Sequence, residues 1–430
     1  MKGMASVIAT FLLVFGLVMG ASAAGKEKQT IRMITWSNQP TVDALTAFNQ
    51  AYMEKNPNVE IKLEVVETNQ FPAVLATRIA AKDVDIVTLD SSYFSLDQVP
   101  WAKGFKMPQW QSQMDAGVFA DLSGQGFVKN WSTGARAGTY KGKVYAISTG
   151  ANLITGIYYN KRLFKQYGID VPATWADLEA ACKKLKDAGV APMTCGAKDD
   201  WPFAMLANFA VASVEPGNLA LAEGLWTGAR AFTDKSSLTV FERLSELSSW
   251  MEDGFLGIDY GSVVGRFVAG KAAMLPDGGW QAPTIKSADP SFEFGYFPVP
   301  SDKAGNQFQG KFDAFLAVVD SSSVKRVCMD WLSRFSEKAN YQNFLDTTGF
   351  IPTMAGVSIR DPFVASLVPY VKGLTLAWEL SYRAPTGVGK YAEQRGFIPV
   401  YLKEAGGELS PQELAAAAQK DFSDAAAKLK

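Results

Sequence analysis

Gly265, Gly270 and Lys271 have the spacing of a phosphate-binding loop, in which four residues separate two glycines and a lysine follows the second. Such a loop holds nucleotide phosphates with its backbone N–H groups, and it needs Ser or Thr after the lysine to bind magnesium. Here the next residue is Ala272, and the four residues between the glycines, 266–269, are types that pack. We therefore predict that no nucleotide binds at this segment.

The same stretch instead predicts the end of a helix over 267–269, a strand over 272–275 and a Gly-Gly turn that presents Trp280. An indole at the tip of a turn either fills the core or offers a flat binding platform. Asp277 beside the turn either accepts hydrogen bonds from ligand hydroxyls or shapes the turn itself. Both alternatives remain open for both residues.

The sequence contains no histidine and only three cysteines, which excludes several kinds of chemistry. Histidine-assisted nucleophiles, histidine acid–base pairs and the usual zinc or iron sites all lack their ligands, and no motif indicates a cofactor or a metal. Cys182 and Cys195 could form a disulfide in an oxidising compartment. Cys328 lies on the apolar face of a predicted helix and is expected to be a buried free thiol.

The elements that position these residues begin with alternating strands and helices. Apolar runs predict strands over 31–36, 61–66 and 84–89, and helical spacing predicts helices over 42–53 and 71–81. This alternation indicates an α/β fold with a parallel, doubly wound sheet, in which ligands bind beyond the carboxyl ends of strands. The polar and aromatic residues that follow two of these ends are Trp36, Asn38, Asp90, Ser91 and Tyr93.

Further helices follow in the second half of the chain. Thr174 and Asp177 form a capping pair at the start of one helix, and Gly189 marks its end. Apolar residues at helical spacing predict a helix over 237–251, and the residues 410–413 form another capping signature.

Length and composition bound the class of protein. A chain of 430 residues implies at least two domains, and a formal net charge of −1 gives no reason to expect nucleic acid or anionic lipid as a partner. The apolar run 7–19 before Ala21-Ser22-Ala23 is typical of a signal peptide, which we place at 1–24. No cysteine follows that site to carry a lipid, so the mature protein is expected to be exported to the periplasm without an anchor.

Four segments in order resemble the extracellular solute-binding proteins of family 1, the maltose-binding-protein-like sugar receptors of ABC importers. They are VYAISTGANLITGIYYNKRLF, GIDVPATWADLEAACKKLKDAGVAP, FVAGKAAMLPDGGW and TGFIPTM. The resemblance implies a type II periplasmic-binding-protein fold, with two α/β lobes, each a mostly parallel sheet flanked by helices, and two or three hinge segments. It also implies a neutral mono- or oligosaccharide ligand, membrane-embedded permease subunits as partners, a monomer, and no enzymatic activity.

On this resemblance the chain divides into lobes. We expect 25–149 with 312–346 to form the N-terminal lobe, 150–300 with 347–430 to form the C-terminal lobe, and 301–311 to cross between them.

A sugar ring offers C–H faces to flat aromatic groups and hydroxyls to side chains that pair with two at once. This chemistry selects candidates from loops that we place at the cleft. Core packing competes for Trp36 and Trp378, capping competes for Asp90, and ordinary turn polarity competes for Thr149 and Asn152. The full candidate set is Trp36, Asn38, Asp90, Ser91, Tyr93, Thr149, Asn152, Trp201, Asp277, Trp280, Asp313, Phe350, Trp378 and Arg383.

Two alternatives of other kinds remain open. A secreted glycoside hydrolase could use two carboxylates among Asp199, Asp200 and Asp277 without any histidine. A receptor for a glycerol-phosphate-type ligand would need clustered Arg or Lys at the cleft, and only Lys143 and the pair 161–162 flank the first crossing.

Overall fold

The structure is a computed structural model. It describes residues 27–90, 101–102, 104, 109–215, 217–305, 308–371, 375–393 and 399–429. The expected signal peptide at 1–24 and the candidates Ser91 and Tyr93 lie outside these residues.

Strands occupy both halves of the chain. They are β1 Gln29–Trp36, β2 Val59–Val66, β3 Ile86–Leu89, β4 Thr139–Tyr140, β5 Lys143–Val144, β6 Ile147–Leu153, β7 Gly156–Asn160, β8 Ala191–Met193, β9 Ala272–Pro276, β10 Phe294–Pro298, β11 Gln309–Val318 and β12 Thr375–Leu376.

Helices surround them. They are α1 Gln39–Lys55, α2 Phe71–Ala80, α3 Gln109–Asp115, α4 Ser132–Ala137, α5 Lys161–Gln166, α6 Trp175–Asp187, α7 Trp201–Ala204, α8 Leu206–Val214, α9 Asn218–Thr227, α10 Lys235–Ser249, α11 Tyr260–Val268, α12 Ala282–Ala288, α13 Lys325–Phe335, α14 Lys338–Thr348, α15 Pro362–Val371, α16 Trp378–Ser381 and α17 Pro411–Ala427. Single 3₁₀ turns lie at Gly126–Asn130, Ala197–Asp199, Phe255–Gly257, Gly279–Gln281, Pro399–Tyr401 and Lys403–Ala405. None of the helices in the described ranges is long and apolar enough to span a bilayer.

The larger sheet has the strand order β12-β11-β3-β1-β2, with β6 paired to β11. β1 lies between β2 and β3 and is parallel to both, which confirms the parallel start predicted from the alternating pattern. β11 returns from the second half of the chain and runs antiparallel to β3 and β6. The carboxyl ends of β1 and β3 therefore lie at one edge of the sheet.

The smaller sheet has the order β10-β7-β9-β8. It departs from the mostly parallel sheet expected for each lobe, because β7 is antiparallel to both β10 and β9, and only β8 and β9 are parallel. β7 enters this sheet directly from β6 through two residues, so it arrives from the larger sheet rather than from a helix.

Two chain segments connect the larger sheet to the smaller one, and they run next to each other at the end of β6 and the start of β11. At the end of β6, the Ile154 N–H donates to the Gln309 carbonyl at 2.7 Å, and the Gln309 N–H donates to Thr155 Oγ1 at 2.9 Å. β6 and β11 are the crossing strands, and the predicted lobe boundaries 149/150 and 311/312 fall inside them. The division of the chain into lobes stays a prediction.

Local sequence signals place several helix ends. The Thr174–Asp177 and Ser410–Glu413 pairs form the predicted capping boxes, and Gly189 has the left-handed φ of +70° that suits a glycine after a helix. α11 ends at Val268 and β9 begins at Ala272, which confirms the helix–strand order that argued against a phosphate loop.

The cysteines are buried and free. Cys328 matches its prediction, because it packs with Trp331 and Phe335 on the buried face of α13. The possible disulfide between Cys182 and Cys195 is not formed: Cys182 lies within α6 and Cys195 follows β8, and each thiol is enclosed in the core.

Candidate functional site

Trp201 and Trp280 come together although 79 positions separate them in the sequence. Their ring centroids lie 6.5 Å apart, and the Trp201 ring meets Tyr260 at 4.5 Å in an edge-to-face contact. Trp280 Nε1 donates to the Tyr260 hydroxyl at 2.7 Å. The three rings form one aromatic group, which we call the indole cluster.

Tight backbone geometry holds each indole. Trp201 begins α7 directly after Asp200, whose φ of +55° is unusual for a residue other than glycine. Trp280 lies in the 3₁₀ turn that follows β9, and its ring covers Gly278 so closely that a Cβ there would lie 2.1 Å from the ring. Glycine at 278 is therefore required for this ring position.

Asp277 lies behind the indole of Trp280 and is only 2% exposed. Its carboxylate accepts hydrogen bonds from the Gly278 N–H at 2.7 Å, Gln281 Nε2 at 3.2 Å and the Tyr260 hydroxyl at 3.3 Å. Burial raises the pKa of Asp277 to about 7, although these three donors act to lower it. The structure thus turns this carboxylate toward the protein interior, and direct ligand contact by Asp277 stays a prediction.

The crossing strands carry a second polar group. Lys311 Nζ lies 2.9 Å from Asp313 Oδ2, and Asn152 Nδ2 donates to the same oxygen at 3.3 Å. Lys311 and Asn152 are directly opposite one another in the β6–β11 register. Lys311 Nζ also lies 5.3 Å from the centre of the Trp280 ring, within the range of a cation–π contact.

Lys311 is the point at which distant segments meet. Burial acts to lower its pKa, but the carboxylates of Asp313, Glu379 and Asp90 outweigh burial and leave the pKa raised. Asp90 follows β3 of the larger sheet, and Glu379 lies in α16. We use the term polar cluster for Asp90, Asn152, Lys311, Asp313 and Glu379.

Trp36 and Asn38 lie at the carboxyl end of β1, as predicted. Trp36 is half-buried and meets Phe71 edge to face at 5.5 Å. The Asn38 side chain accepts from the Thr41 N–H at 3.1 Å and from Thr41 Oγ1 at 2.8 Å, so its oxygen caps α1. The ring contact described for Trp36 is therefore a packing contact outside the indole cluster.

The remaining candidates have packing or scaffold contacts, and their part in binding stays a prediction. Thr149 Oγ1 donates to the Ala314 carbonyl at 3.0 Å, inside the sheet. Phe350 packs on Gly150, where a Cβ would lie 2.5 Å from Phe350 Cβ. The buried Trp378 stacks on Tyr382 with ring centres 4.6 Å apart.

Arg383 is also buried, and its Nη1 donates to the carbonyls of Tyr382 at 2.8 Å and Glu379 at 3.2 Å. Burial lowers the pKa of Arg383 to about 10, against the opposing effect of Glu379. The guanidinium therefore has backbone partners within α16 and at its end.

Sequence reasoning missed three members of these groups: Tyr260, Lys311 and Glu379. A signal existed for Lys311, since residues two apart on a strand share a face and Asp313 was already a candidate. Tyr260 and Glu379 lie in the first turns of short helices, and such positions give no information about which distant residue they meet.

Known proteins share both the sequence pattern and the fold. The model of the bacterial extracellular solute-binding protein family matches residues 36–324. A protein of Streptococcus mutans named multiple sugar-binding protein is 26% identical over 362 residues, which cover 82% of this chain and 81% of that protein.

Solved structures extend the likeness to nearly the whole chain. The structure of the solute-binding protein RafE in complex with raffinose has a TM-score of 0.75 at 21% identity, covering 92% of this chain and 99% of that one. A sugar transporter from Bacillus licheniformis in complex with stachyose has a TM-score of 0.70 at 17% identity, with the same coverage. These likenesses show the two-lobed α/β fold, and the family match shows the kinship: the chain belongs to the bacterial extracellular solute-binding proteins.

Proposed function

We propose that this protein is the substrate-binding component of a carbohydrate ABC importer and captures a neutral mono- or oligosaccharide between its lobes. The observation that carries the proposal is the meeting of the indole cluster with the polar cluster, at the contact of Lys311 with Trp280. Indole faces suit the C–H faces of a sugar ring, and carboxylates and amides suit its hydroxyls.

The relatives support this ligand class. The curated relative from Streptococcus mutans is named for binding multiple sugars, and solved structures of similar fold hold raffinose and stachyose. The family is extracellular, so the protein is exported. We further propose that it acts in the periplasm as a monomer, after removal of 1–24, and delivers its ligand to permease subunits in the membrane.

Binding and lobe closure would be linked because the residues proposed to contact the sugar come from both sheets. Asp90 follows a strand of the larger sheet, whereas Trp201 and Trp280 follow elements of the smaller one. A sugar that touches both sides stabilises the closed arrangement by the difference between its affinities for closed and open forms. The permease would then recognise the closed form.

Charge favours a neutral ligand over a phosphorylated one. In the part of the chain that the structure describes, the Lys311 ammonium interacts with the carboxylates of Asp313, Glu379 and Asp90, and the Arg383 guanidinium interacts with Glu379. A phosphate group placed there would face more negative than positive charge, and each added negative charge in a buried site is costly. The polar cluster thus disfavours the glycerol-phosphate alternative.

The hydrolase alternative requires two carboxylates that face a common bond. Asp277 is turned into the interior by its three hydrogen-bond donors, and Asp199 accepts a hydrogen bond from the Tyr260 N–H at the start of α11. These contacts favour structural roles for both acids.

Calorimetric titration of the purified protein with a panel of candidate ligands tests the proposal. The panel contains glucose, raffinose, stachyose, a xylo-oligosaccharide, a chitin oligosaccharide and glycerol 3-phosphate. We expect at least one neutral saccharide to bind. We also expect Trp280→Ala to weaken its binding by about 10-fold, because an aromatic contact contributes about 0.5–1.5 kcal/mol beyond the area that it buries.

Trp175→Ala is the matched control. It removes an indole of similar burial, 4% exposed against 9% for Trp280, that pairs with Trp250 instead of the indole cluster. Thermal melting confirms that each variant is folded at the temperature of titration. Binding of glycerol 3-phosphate alone, or the appearance of hydrolysis products, would overturn the proposal.

A further inference from the structure

Three side chains form a hydrogen-bonded series that ends at the indole of Trp280. Trp280 Nε1 lies 2.7 Å from the Tyr260 hydroxyl, and that hydroxyl lies 3.3 Å from Asp277 Oδ1. The series runs from the indole cluster into the interior of the smaller sheet, where Asp277 is buried.

The chemistry of the three groups fixes the direction of each bond. An indole N–H is a donor only, so the Tyr260 oxygen must accept from Trp280. Burial raises the pKa of Tyr260 well above its usual value, with a further contribution from Asp277, so the phenol keeps its proton. That proton is the only one the hydroxyl has, and it is donated to the Asp277 carboxylate, while Gln281 makes a further hydrogen bond with the phenol.

The far end of the series is anchored firmly. The Asp277 carboxylate also accepts from the Gly278 N–H and from Gln281 Nε2. The backbone on either side is held as well, since the Tyr296 hydroxyl donates to the Asp277 carbonyl and the Tyr158 hydroxyl donates to the Gly278 carbonyl, both at 3.0 Å. Hydrogen bonds from three donors hold the Asp277 carboxylate in one orientation.

We propose that Asp277 and Tyr260 are positioning residues that act in series to hold the Trp280 indole in one orientation over Gly278, and thereby set the affinity for saccharide. The statement about affinity rests on the proposed function, whereas the statement about orientation does not. Asp277 in this role supports the binding platform without touching the ligand.

The surroundings of Asp277 make the series sensitive to pH. Titratable groups that face it are the phenols of Tyr158, Tyr260 and Tyr296 and the thiol of Cys195, and all of them are neutral at pH 7 because burial raises their pKa values. Among the described residues no cation is within salt-bridge distance of Asp277. A protonated acid is a weaker acceptor than a carboxylate, so the hold on Tyr260 loosens as Asp277 takes up a proton.

The experiment is ¹H–¹⁵N NMR of the ligand-free protein with ¹⁵N-labelled tryptophan indoles. Trp280→Phe identifies the Trp280 Nε1–H cross-peak by its disappearance. We expect Tyr260→Phe to move this peak upfield and to speed its exchange with solvent, since the acceptor is lost. We also expect Asp277→Asn to move it, although Asp277 does not touch the indole.

Tyr296→Phe is the matched control. It removes another part-buried phenol, which donates to the backbone carbonyl of Asp277 and lies outside the series. The Trp280 peak should stay in place in this variant. From pH 5 to 9 the wild-type peak should follow one titration step near pH 7, and the step should be absent from Asp277→Asn.

A Trp280 peak that is unmoved in Tyr260→Phe, or a titration step that persists in Asp277→Asn, would overturn the positioning role. For the best-binding saccharide of the panel, both variants should lose affinity on the order of 10-fold, as expected for loss of a hydrogen bond to a charged group. Unchanged affinity beside a shifted peak would overturn the effect on binding. Expected peak shifts in a protein that binds no saccharide would support the positioning role and overturn the proposed function instead.

Discussion

Lys311 pairs with Asp313 at 2.9 Å while its ammonium lies 5.3 Å from the centre of the Trp280 ring. One side chain on a crossing strand thus contacts both Asp313 on the same strand and the Trp280 indole next to the smaller sheet. The pair is mostly buried, with 19% of the Lys311 side chain and 7% of the Asp313 side chain exposed. Removing one partner of a buried ion pair destabilises a protein far more than removing one partner of a surface pair.

Lys311→Met is therefore expected to destabilise the fold. The substitution leaves the buried Asp313 carboxylate without its partner, and breaking one side of a buried pair costs about 3–5 kcal/mol. Urea unfolding measures the loss. Lys143→Met is the control, because Lys143 pairs with Asp121 at the surface and its side chain is 58% exposed, so its loss should cost less than about 1 kcal/mol. Equal losses in the two variants would contradict the buried character of the Lys311 pair.

Gly278→Ala should displace the Trp280 ring from its position in the indole cluster while leaving the fold intact. The backbone at 278 has an ordinary extended conformation, with φ −71° and ψ 161°, so alanine fits the main chain. The new Cβ would lie 2.1 Å from the Trp280 ring, and the ring must move. Gly279→Ala is the neighbouring control, since a Cβ there meets no atom closer than 3.6 Å. We expect saccharide affinity to fall in the first variant only, as measured by calorimetry, and equal affinities would argue against Trp280 as a binding surface.

Asp277 should make the free energy of unfolding depend on pH. Its pKa is raised to about 7 in the folded protein and is about 3.9 in an unfolded chain. Between these values the folded state holds more protons than the unfolded state, so this group's contribution to stability falls as pH rises from about 4 to 7. Asp277→Asn removes that contribution.

The comparison is made by denaturant unfolding at pH 5 and pH 8. From the lower to the higher pH, the wild-type protein should lose stability relative to Asp277→Asn. Parallel behaviour of the two proteins would mean that the acid is not as buried as described.

The thiols of Cys182 and Cys195 should be inert in the native protein. Both are buried and free, and burial raises the pKa of each thiol well above its usual value. We expect no reaction with a thiol reagent until the protein is denatured, and no change in melting temperature with reductant. A fall in melting temperature on reduction would indicate that the disulfide does form.

Local patterns predicted the elements better than the contacts between them. The strand over 31–36 and the helix over 71–81 were placed to within two residues, because apolar periodicity is a local property. The antiparallel pairing of β7 with β9 and β10 was not predicted. The direction of a strand in its sheet depends on how the chain reaches that sheet, and β7 comes directly from β6 of the larger sheet. Trp201 and Trp280 were chosen for their residue type and position in loops, and the structure brings them together through Tyr260, which no local pattern indicated.

Burial also separated candidates that looked alike in the sequence. Trp280 and Trp378 are both indole candidates, yet Trp378 stacks on Tyr382, whereas Trp280 joins Trp201 and Tyr260. Asp277 and Asp313 both precede or follow apolar strands, yet Asp277 supports a turn while Asp313 joins a lysine and an amide. These different roles depend on which distant segments pack against each residue. Local patterns in a single sequence do not indicate those segments.

Ala314 has a φ of +48° in the middle of β11, a conformation that side chains other than glycine's seldom adopt. The Asp313 carboxylate accepts from its N–H at 3.0 Å, and Thr149 donates to its carbonyl. The strand consequently has a built-in elbow immediately after the residues that face Trp280. On both sides of the elbow β11 pairs within the larger sheet, with β12 before it and with β3 after it. A glycine at this position would relieve the steric cost of the bend at the expense of its rigidity.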